Sequence, residues 1–237
     1  NIAGVTKYVD NLMDKSTEFS AHYATIKSRL GDKGHANPNI EMILTHIRLL
    51  QEVVSKSGID SLTEEILQKL EREVCDKISS VVNKSLPQDL APHHKLARWI
   101  QGIHRAYPVE IFTPNYDLLI EQALEETEVP YFDGFSGSKN AFFDLTSMES
   151  DDLPARWTRL WKLHGSINWW KTKAGAVRST VDARPVPNSP QMIFPSHLKY
   201  DQSRKLPYLA MMDRLTAFLS RGNGSSIIVL SGYSCAD

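Results

Sequence analysis

Cysteine is scarce in this sequence, and metal-ligand spacings are absent. Its 237 residues include two cysteines, Cys75 and Cys235, which lie far apart and form no CxxC pair. Two cysteines cannot build a four-cysteine zinc site, and such sparse usage is typical of a reducing cytoplasm, where we expect the chain to act. The eight histidines show no HExxH or comparable spacing, so we expect no metal.

Charge of one sign and long apolar runs are also lacking. The chain carries 27 basic against 28 acidic residues, a formal net charge of -1. This balance gives no global attraction to nucleic acid or to an anionic membrane, and we expect neither as a partner. No apolar run approaches the roughly 18 to 20 residues of a membrane span, and no signal pattern opens the chain. Hydrophobic residues make up 41%, which is enough for a real core.

The first half of the chain has the spacing of amphipathic helices. Apolar residues recur every three or four positions near residues 5–13, 39–54, 61–83 and 93–104. We expect these apolar faces to pack in a core. We also expect residues 36–107 to form a helical subdomain within, or inserted into, a larger domain.

From Val109 onward the pattern changes to short apolar, β-branched runs separated by helices. Four runs predict strands, namely Val109–Thr113, Arg159–Leu163, Gln191–Phe194 and Ser226–Leu230. Helices are expected over Leu118–Glu126 and Leu206–Leu219. Strands that alternate with helices predict an α/β fold with a doubly wound, mainly parallel sheet. The segments 133–154 and 171–190 show little periodicity and are expected to be long loops or a small inserted subdomain.

Polar clusters follow three of the predicted strands. They are Thr113-Pro114-Asn115-Tyr116-Asp117, His164-Gly165-Ser166 and Ser231-Gly232-Tyr233-Ser234. In parallel sheets, ligands bind beyond the carboxyl ends of the strands. We therefore expect a ligand site at these clusters.

Several of these polar residues have two interpretations. Asn115 either caps the following helix or directs its carboxamide at a ribose or a water molecule, and Asp117 suits a first helical turn in any case. His164 is either packed or titrates near neutrality beside a ligand. Gly232 and Ser234 suit either a phosphate or ribose contact or an ordinary turn.

Four tryptophans lie near His164 in the sequence, namely Trp157, Trp161, Trp169 and Trp170. They either form an aromatic wall for a nicotinamide or adenine ring or pack in the core. We favour core packing, because large aromatic side chains dominate protein cores.

The order of the motifs resembles the sirtuin-like domains of bacterial anti-phage NAD hydrolases. Four motifs carry the resemblance, over about Val109–Asp237: Thr113-Pro114-Asn115-Tyr116-Asp117; Lys162-Leu163-His164-Gly165-Ser166 with Trp169; Ile193-Phe194-Pro195 with Lys199-Tyr200; and Leu230-Ser231-Gly232-Tyr233-Ser234 with Asp237. The segment Ile2–Leu12 also looks like the one that follows the family's glycine-rich phosphate loop.

The resemblance implies a sirtuin-like, Rossmann-like NAD-binding domain over residues 1–237, with Asn115 and His164 as the catalytic pair. Asp117 would hold the nicotinamide ribose, and Gly232 and Ser234 would contact the adenosine side of NAD. Thr113, Gly165 and Ser166 complete the implied NAD-binding set. The chain begins with Asn1, and we expect it to be a fragment of a longer protein.

The implied activity is an NADase that cleaves the nicotinamide–ribose bond, as a regulated NAD-depleting effector in anti-phage defence. Classical sirtuin deacetylases carry a four-cysteine zinc module that this chain cannot build, so NAD cleavage is preferred over deacylation or ADP-ribosyl transfer. The alternative from another class is a non-catalytic module that senses NAD or another nucleotide. An unregulated NADase would poison its host, so we expect a homo-oligomer and a regulatory partner subunit or additional domain.

Overall fold

The computed structural model describes residues 2–54, 58–88, 90–150, 152–172, 174, 176–181, 191–193, 206–220 and 227–232. Within this part of the chain, helices precede the first strand. They are α1 (Ile2–Met13), α2 (Ser20–Asp32), α3 (Ile40–Val53), α4 (Glu64–Val82) and α5 (Pro92–Gly102). The periodicity predicts four of them and misses α2, which buries only Tyr23, Ile26 and Leu30.

Side chains cap two of these helices. The side chain of Asn39 accepts a hydrogen bond from the N–H of Met42 at 3.0 Å, and Thr63 accepts one from Ile66 at 3.3 Å. Each cap satisfies an N–H group that has no partner within its helix. No helix in the described segments is both long and apolar enough to cross a membrane.

Helices α1 to α4 share one hydrophobic core, and that core extends to the second half of the chain. Ile167 belongs to it, while Tyr116 and Leu118 pack against it. Tyr116 adjoins Asn115 in the sequence, and Ile167 lies three residues after His164. The helical half therefore contacts both segments that carry the expected catalytic pair. The boundaries of the helical subdomain at residues 36 and 107 stay a prediction.

The second half begins with a parallel sheet. Strands β1 (Glu110–Thr113), β2 (Tyr131–Phe132) and β5 (Thr158–Lys162) pair in the order β1-β5-β2, with β5 parallel to both neighbours. Helix α6 (Leu119–Glu126) lies between β1 and β2 in the chain and buries Ala123 and Leu124 in a core shared with α5. Helices and a parallel sheet confirm the α/β class.

A second sheet follows, and it is antiparallel. Its strands are β3 (Phe135–Ser136), β4 (Ala141–Phe143), β6 (Gly165–Lys171), β7 (Val177–Ser179) and β8 (Gln191–Ile193), in the order β3-β4-β7-β6-β8. The expectation of one mainly parallel sheet is therefore wrong for the run at Gln191, which pairs antiparallel with β6. Only Leu163 and His164 separate β5 from β6, so these residues connect the two sheets.

The segment 133–154, which we expect to be a long loop or a small inserted subdomain, contains short regular elements. It contains β3, β4 and α7 (Leu145–Glu149), where the Asp144 side chain accepts a hydrogen bond from the N–H of Ser147. Strands of two or three residues are too short to show a period of two, which explains why the sequence pattern does not predict them. The second expected loop contains β7, and residues 182–190 lie outside the described part.

Helix α8 (Tyr208–Leu219) confirms the expected helix and buries Tyr208, Ala210 and Met211. By contrast, residues 227–230 do not form the expected final strand; Ser226 lies outside the described part. Their side chains are exposed, from 55% for Ile228 to 87% for Ile227. An apolar, β-branched run suits a buried strand, but a strand also needs a partner, which a single run cannot specify.

Leucine-to-alanine variants test the burial of β5 and the exposure of residues 227–230. Leu160 in β5 is 0% exposed, so Leu160→Ala should lower the free energy of unfolding by about 2 to 5 kcal/mol. Leu230 is 77% exposed, so Leu230→Ala should change it by less than about 0.5 kcal/mol. Urea denaturation of both variants measures the difference. Equal losses of unfolding free energy would contradict the exposed position of Leu230 and favour a buried strand at residues 227–230.

Candidate functional site

The register of β1 and β5 brings the two expected catalytic residues to one edge of the sheet. Thr113 lies opposite Lys162, and the N–H of Leu163 donates to the carbonyl oxygen of Thr113 at 2.9 Å. Asn115 and His164 each follow this pair by two positions. Neighbouring strands lie about 4.8 Å apart. Both residues therefore leave the sheet at adjacent strand ends, on the edge where parallel sheets bind ligands.

Asn115 does not cap the helix that follows it. Helix α6 begins at Leu119, and the N–H of Leu119 donates to Oδ1 of Asp117 at 3.1 Å. Asn115 is exposed, and its backbone N–H donates to Oγ1 of Thr113 at 3.1 Å. Within the described part of the chain, its carboxamide makes no hydrogen bond. The capping interpretation is therefore wrong for Asn115, and the carboxamide can bind a ligand.

His164 lies in the turn between the two sheets. It is half-buried, and it is followed by Gly165 at φ +92°, a backbone conformation that glycine adopts without strain. The turn therefore needs glycine at this position. Ser166 is 1% exposed, and its Oγ donates to the carbonyl oxygen of Tyr116 at 3.4 Å. This serine supports the segment next to Asn115, and its contact with NAD stays a prediction.

The other expected NAD-binding residues are placed as follows. Thr113 is buried at the end of β1, and Asp117 is half-buried at the start of α6. Gly232 is exposed in a bend at φ +76°, outside both sheets. Ser234 lies outside the described residues. The parallel sheet thus brings the first two clusters together, while the contacts expected of the third stay predictions.

The tryptophans nearest His164 belong to the core. Trp161 and Trp169 are 0% and 1% exposed, and the Trp169 ring lies 5.0 Å from that of Phe135. Core packing is confirmed for these two. Trp157 instead helps to line a shallow cleft of about 360 Å³, with Tyr131 and Arg156. This cleft lies where β2 and β5 begin, at the opposite end from Asn115 and His164.

A buried charged cluster lies beside the expected site, and the sequence analysis assigned it no role. The Lys162 side chain is 2% exposed, and its Nζ lies 3.0 Å from Oε1 of Glu121. Its ammonium group also donates to the carbonyl oxygen of Asp117. A lysine at the carboxyl end of a buried strand is the signal that could have identified this cluster. Across the described residues, no group of three or more His, Cys, Asp or Glu is placed to hold a metal ion.

Asp133 belongs to the same edge, because it directly follows β2. Burial raises the pKa of Asp133 to about 6, and the nearby Glu121 raises it further, whereas the N–H of Phe135 and the charge of Lys162 act in the opposite direction. The carboxyl ends of β1, β5 and β2 thus carry Thr113, Lys162 and Asp133. Strands β1 and β5 thus end in polar side chains, and β2 is followed directly by one.

Together, the parallel sheet, the crossover helix and the polar carboxyl edge define a ligand-binding α/β domain. A family model described as a SIR2-like domain matches residues 109–237, from the position before β1 onward. This match covers more than half of the chain, and the chain belongs to the SIR2-like family. Membership links it broadly to NAD-related activity. A search of curated proteins found no match.

Asp133→Asn should stabilise the protein increasingly as the pH rises. The pKa of Asp133 is about 6 in the folded chain against an ordinary 3.8. Between these two pH values the carboxyl group is therefore protonated in the folded state and ionised in the unfolded state. Wild-type stability therefore falls as the pH rises from about 4 to 6, by at most about 3 kcal/mol. The variant keeps Oδ1 for the N–H of Phe135 but cannot ionise. Urea denaturation between pH 4 and 8 measures the difference.

Asp144→Asn is the matched control with the opposite sign. Hydrogen bonds from Ser147 and Ser136 lower the pKa of Asp144, so its ionised form stabilises the fold above the ordinary pKa. This variant should be less stable than wild type at neutral pH, and its deficit should shrink as the pH falls below about 4. A stability difference for Asp133→Asn that does not change with pH would contradict the buried carboxyl.

Proposed function

We propose that the chain is an NADase, which cleaves the nicotinamide–ribose bond of NAD to give nicotinamide and ADP-ribose. The observation that carries this proposal is the pairing of Thr113 with Lys162. Because of this pairing, the segments that lead to Asn115 and His164 leave the sheet at the same edge. Membership of the SIR2-like family supports NAD as the ligand. NAD is the substrate in this proposal, and no metal takes part.

The reaction suits an amide beside an imidazole. The nicotinamide–ribose bond breaks through an oxocarbenium-like state, as in glycoside hydrolysis. The bonding electrons leave with the nicotinamide nitrogen, which becomes neutral, so no strong general acid is needed. Water then attacks C1′ of the ribose and loses a proton. The protein must orient the ribose and direct the water, and both tasks depend on position.

We assign the base to His164 and the orienting group to Asn115. His164 accepts the proton of the water or of a ribose hydroxyl, and general-base catalysis is worth about two to four orders of magnitude. Asn115 positions that water or hydroxyl through its exposed carboxamide. The ribose and phosphate contacts are proposed for Thr113, Asp117, Gly165, Ser166, Gly232 and Ser234.

We further propose that this NADase is a regulated NAD-depleting effector of anti-phage defence in the cytoplasm. The motif resemblance supports this role, and so does the need to restrain an enzyme that consumes NAD. Restraint would come from a homo-oligomer and from a regulatory partner subunit or additional domain. A partner that binds the helical half would affect the site through Tyr116 and Ile167, which contact the helical core. A doubly wound sheet stays part of the proposal and requires parallel strands beyond β1, β5 and β2.

The activity is tested by incubating the full protein, in its active assembly, with NAD but without added metal or acetylated peptide. We expect release of nicotinamide and ADP-ribose, measured by liquid chromatography. Strict dependence on an acylated peptide would favour a deacylase instead. Binding of NAD without nicotinamide release under any activating condition would favour a sensor module.

His164→Ala and Asn115→Ala should each lower nicotinamide release at least about 100-fold, since each removes a group that acts on the reacting atoms. The melting temperature of Asn115→Ala should change little, because Asn115 is exposed. His164→Ala removes a half-buried side chain and should still leave the protein folded. His35→Ala and Asn140→Ala replace exposed residues of the same types and should keep full activity. Thermal unfolding and nicotinamide release are measured on the same samples. A stable, fully active His164→Ala protein would contradict the mechanism.

A further inference from the structure

The Lys162 ammonium group occupies a position where an apolar side chain would cost less free energy to bury. Lys162 is the last residue of β5, and its side chain is 2% exposed. A buried charge is costly unless it is paired and hydrogen-bonded. Replacing a buried ion pair with apolar residues of similar volume is often neutral or stabilising. Stability alone therefore gives little reason for a lysine at this position.

The partners of the ammonium group lie on the segment that carries Asn115. One partner is the backbone carbonyl of Asp117, two residues after Asn115, and the other is Glu121 in the first turn of α6, at 3.0 Å. Lys162 itself precedes His164 by two residues. One side chain therefore joins the strand that leads to His164 with the segment that follows Asn115.

Two neighbouring contacts also hold this segment. The N–H of Ile167 donates to the carbonyl oxygen of Tyr116 at 3.0 Å, next to the carbonyl that Lys162 binds. The Tyr116 hydroxyl donates to Oε1 of Glu41 in α3 at 3.2 Å. Hydrogen bonds from a charged donor are roughly twice as strong as those between neutral groups. We therefore expect the bond from the charged lysine to hold this backbone more strongly than the bonds from Ser166 and Ile167.

We propose that Lys162 is a positioning residue, whose ammonium group fixes the backbone of Asn115–Asp117 relative to His164 through the carbonyl of Asp117. Its effect on turnover rests on the NADase function proposed above. Its effect on the Asn115 segment does not depend on that function. Misplacement of a reacting group by about 1 Å costs on the order of 100-fold in rate.

The test compares Glu121→Gln with the double variant Lys162→Met, Glu121→Gln in the full protein. Lys162→Met alone leaves the Glu121 carboxylate buried without its lysine and risks unfolding. The double variant removes both charges, whereas Glu121→Gln keeps the bond from lysine to carbonyl. Both variants carry the neutral glutamine at position 121, and they differ in whether the lysine is present to bind the carbonyl oxygen of Asp117. Glu121→Gln in turn leaves the Lys162 ammonium group without this carboxylate, so the melting temperatures of both variants are measured to check that they are folded.

Two readouts follow. Amide hydrogen exchange in NAD-free protein should be faster over residues 115–119 in the double variant than in Glu121→Gln. In the cleavage assay, kcat should fall on the order of 100-fold between the two, with KM changed less than about threefold. A role limited to stability would lower the melting temperature without this split between kcat and KM.

Equal exchange in the two variants would overturn the proposal, and so would an unchanged kcat in the double variant of a protein that cleaves NAD. If the unmodified protein cleaves no NAD, the NADase function fails. The exchange comparison then decides the proposal alone, because it uses no substrate.

Discussion

The parallel pairing of β1 with β5 is the constraint on which the site depends. Four residue pairs, from Glu110 with Arg159 to Thr113 with Lys162, fix the register. A shift by one residue would turn every side chain of a strand to the other face of the sheet and displace its end. The buried Trp161, whose Nε1 donates to Oε2 of Glu110 at 2.9 Å, ties the two strands together through side chains as well. Asn115 and His164 follow adjacent strand ends only as long as this register holds.

The helical half is a second constraint on the same residues. Tyr116 packs against the core of α1 to α4 and donates its hydroxyl to Glu41 of α3. The backbone of Tyr116 accepts hydrogen bonds from Ser166 and Ile167. The segment that carries Asn115 is therefore held by helices on one side and by the start of β6 on the other. A change in helix packing would move the carboxamide of Asn115, and this coupling is a physical route for regulation.

Local patterns predicted well those features that depend on few neighbours. Helices α3 and α4 carry both an apolar face and a capping residue. Strands β1 and β5 have apolar centres, Ile111-Phe112 and Leu160-Trp161, and polar clusters after their ends, so each element could be recognised alone. Features set by distant partners could not. Nothing in Gln191–Ile193 indicates pairing with β6, and nothing in residues 227–230 specifies whether a partner strand is present. For the site, motif order indicated Asn115 and His164, but Lys162, Glu121 and Asp133 converge only through tertiary contacts.

The polar edge of the parallel sheet works against stability, which is itself informative. Lys162 ends β5 and is buried, Asp133 directly follows β2 and is half-buried, and burial raises the pKa of Asp133 to about 6. Apolar residues at these positions would avoid the desolvation of both charges. Local choices that oppose stability concentrate at functional sites, where position and charge matter more than packing. Buried charges elsewhere are also paired: Arg48 lies 2.6 Å from Glu71 in the helical half, and Arg159 lies 3.9 Å from Glu110 where β1 and β5 begin. What distinguishes Lys162 and Asp133 is their place, because they lie at the carboxyl edge of the parallel sheet, where Asn115 and His164 leave it.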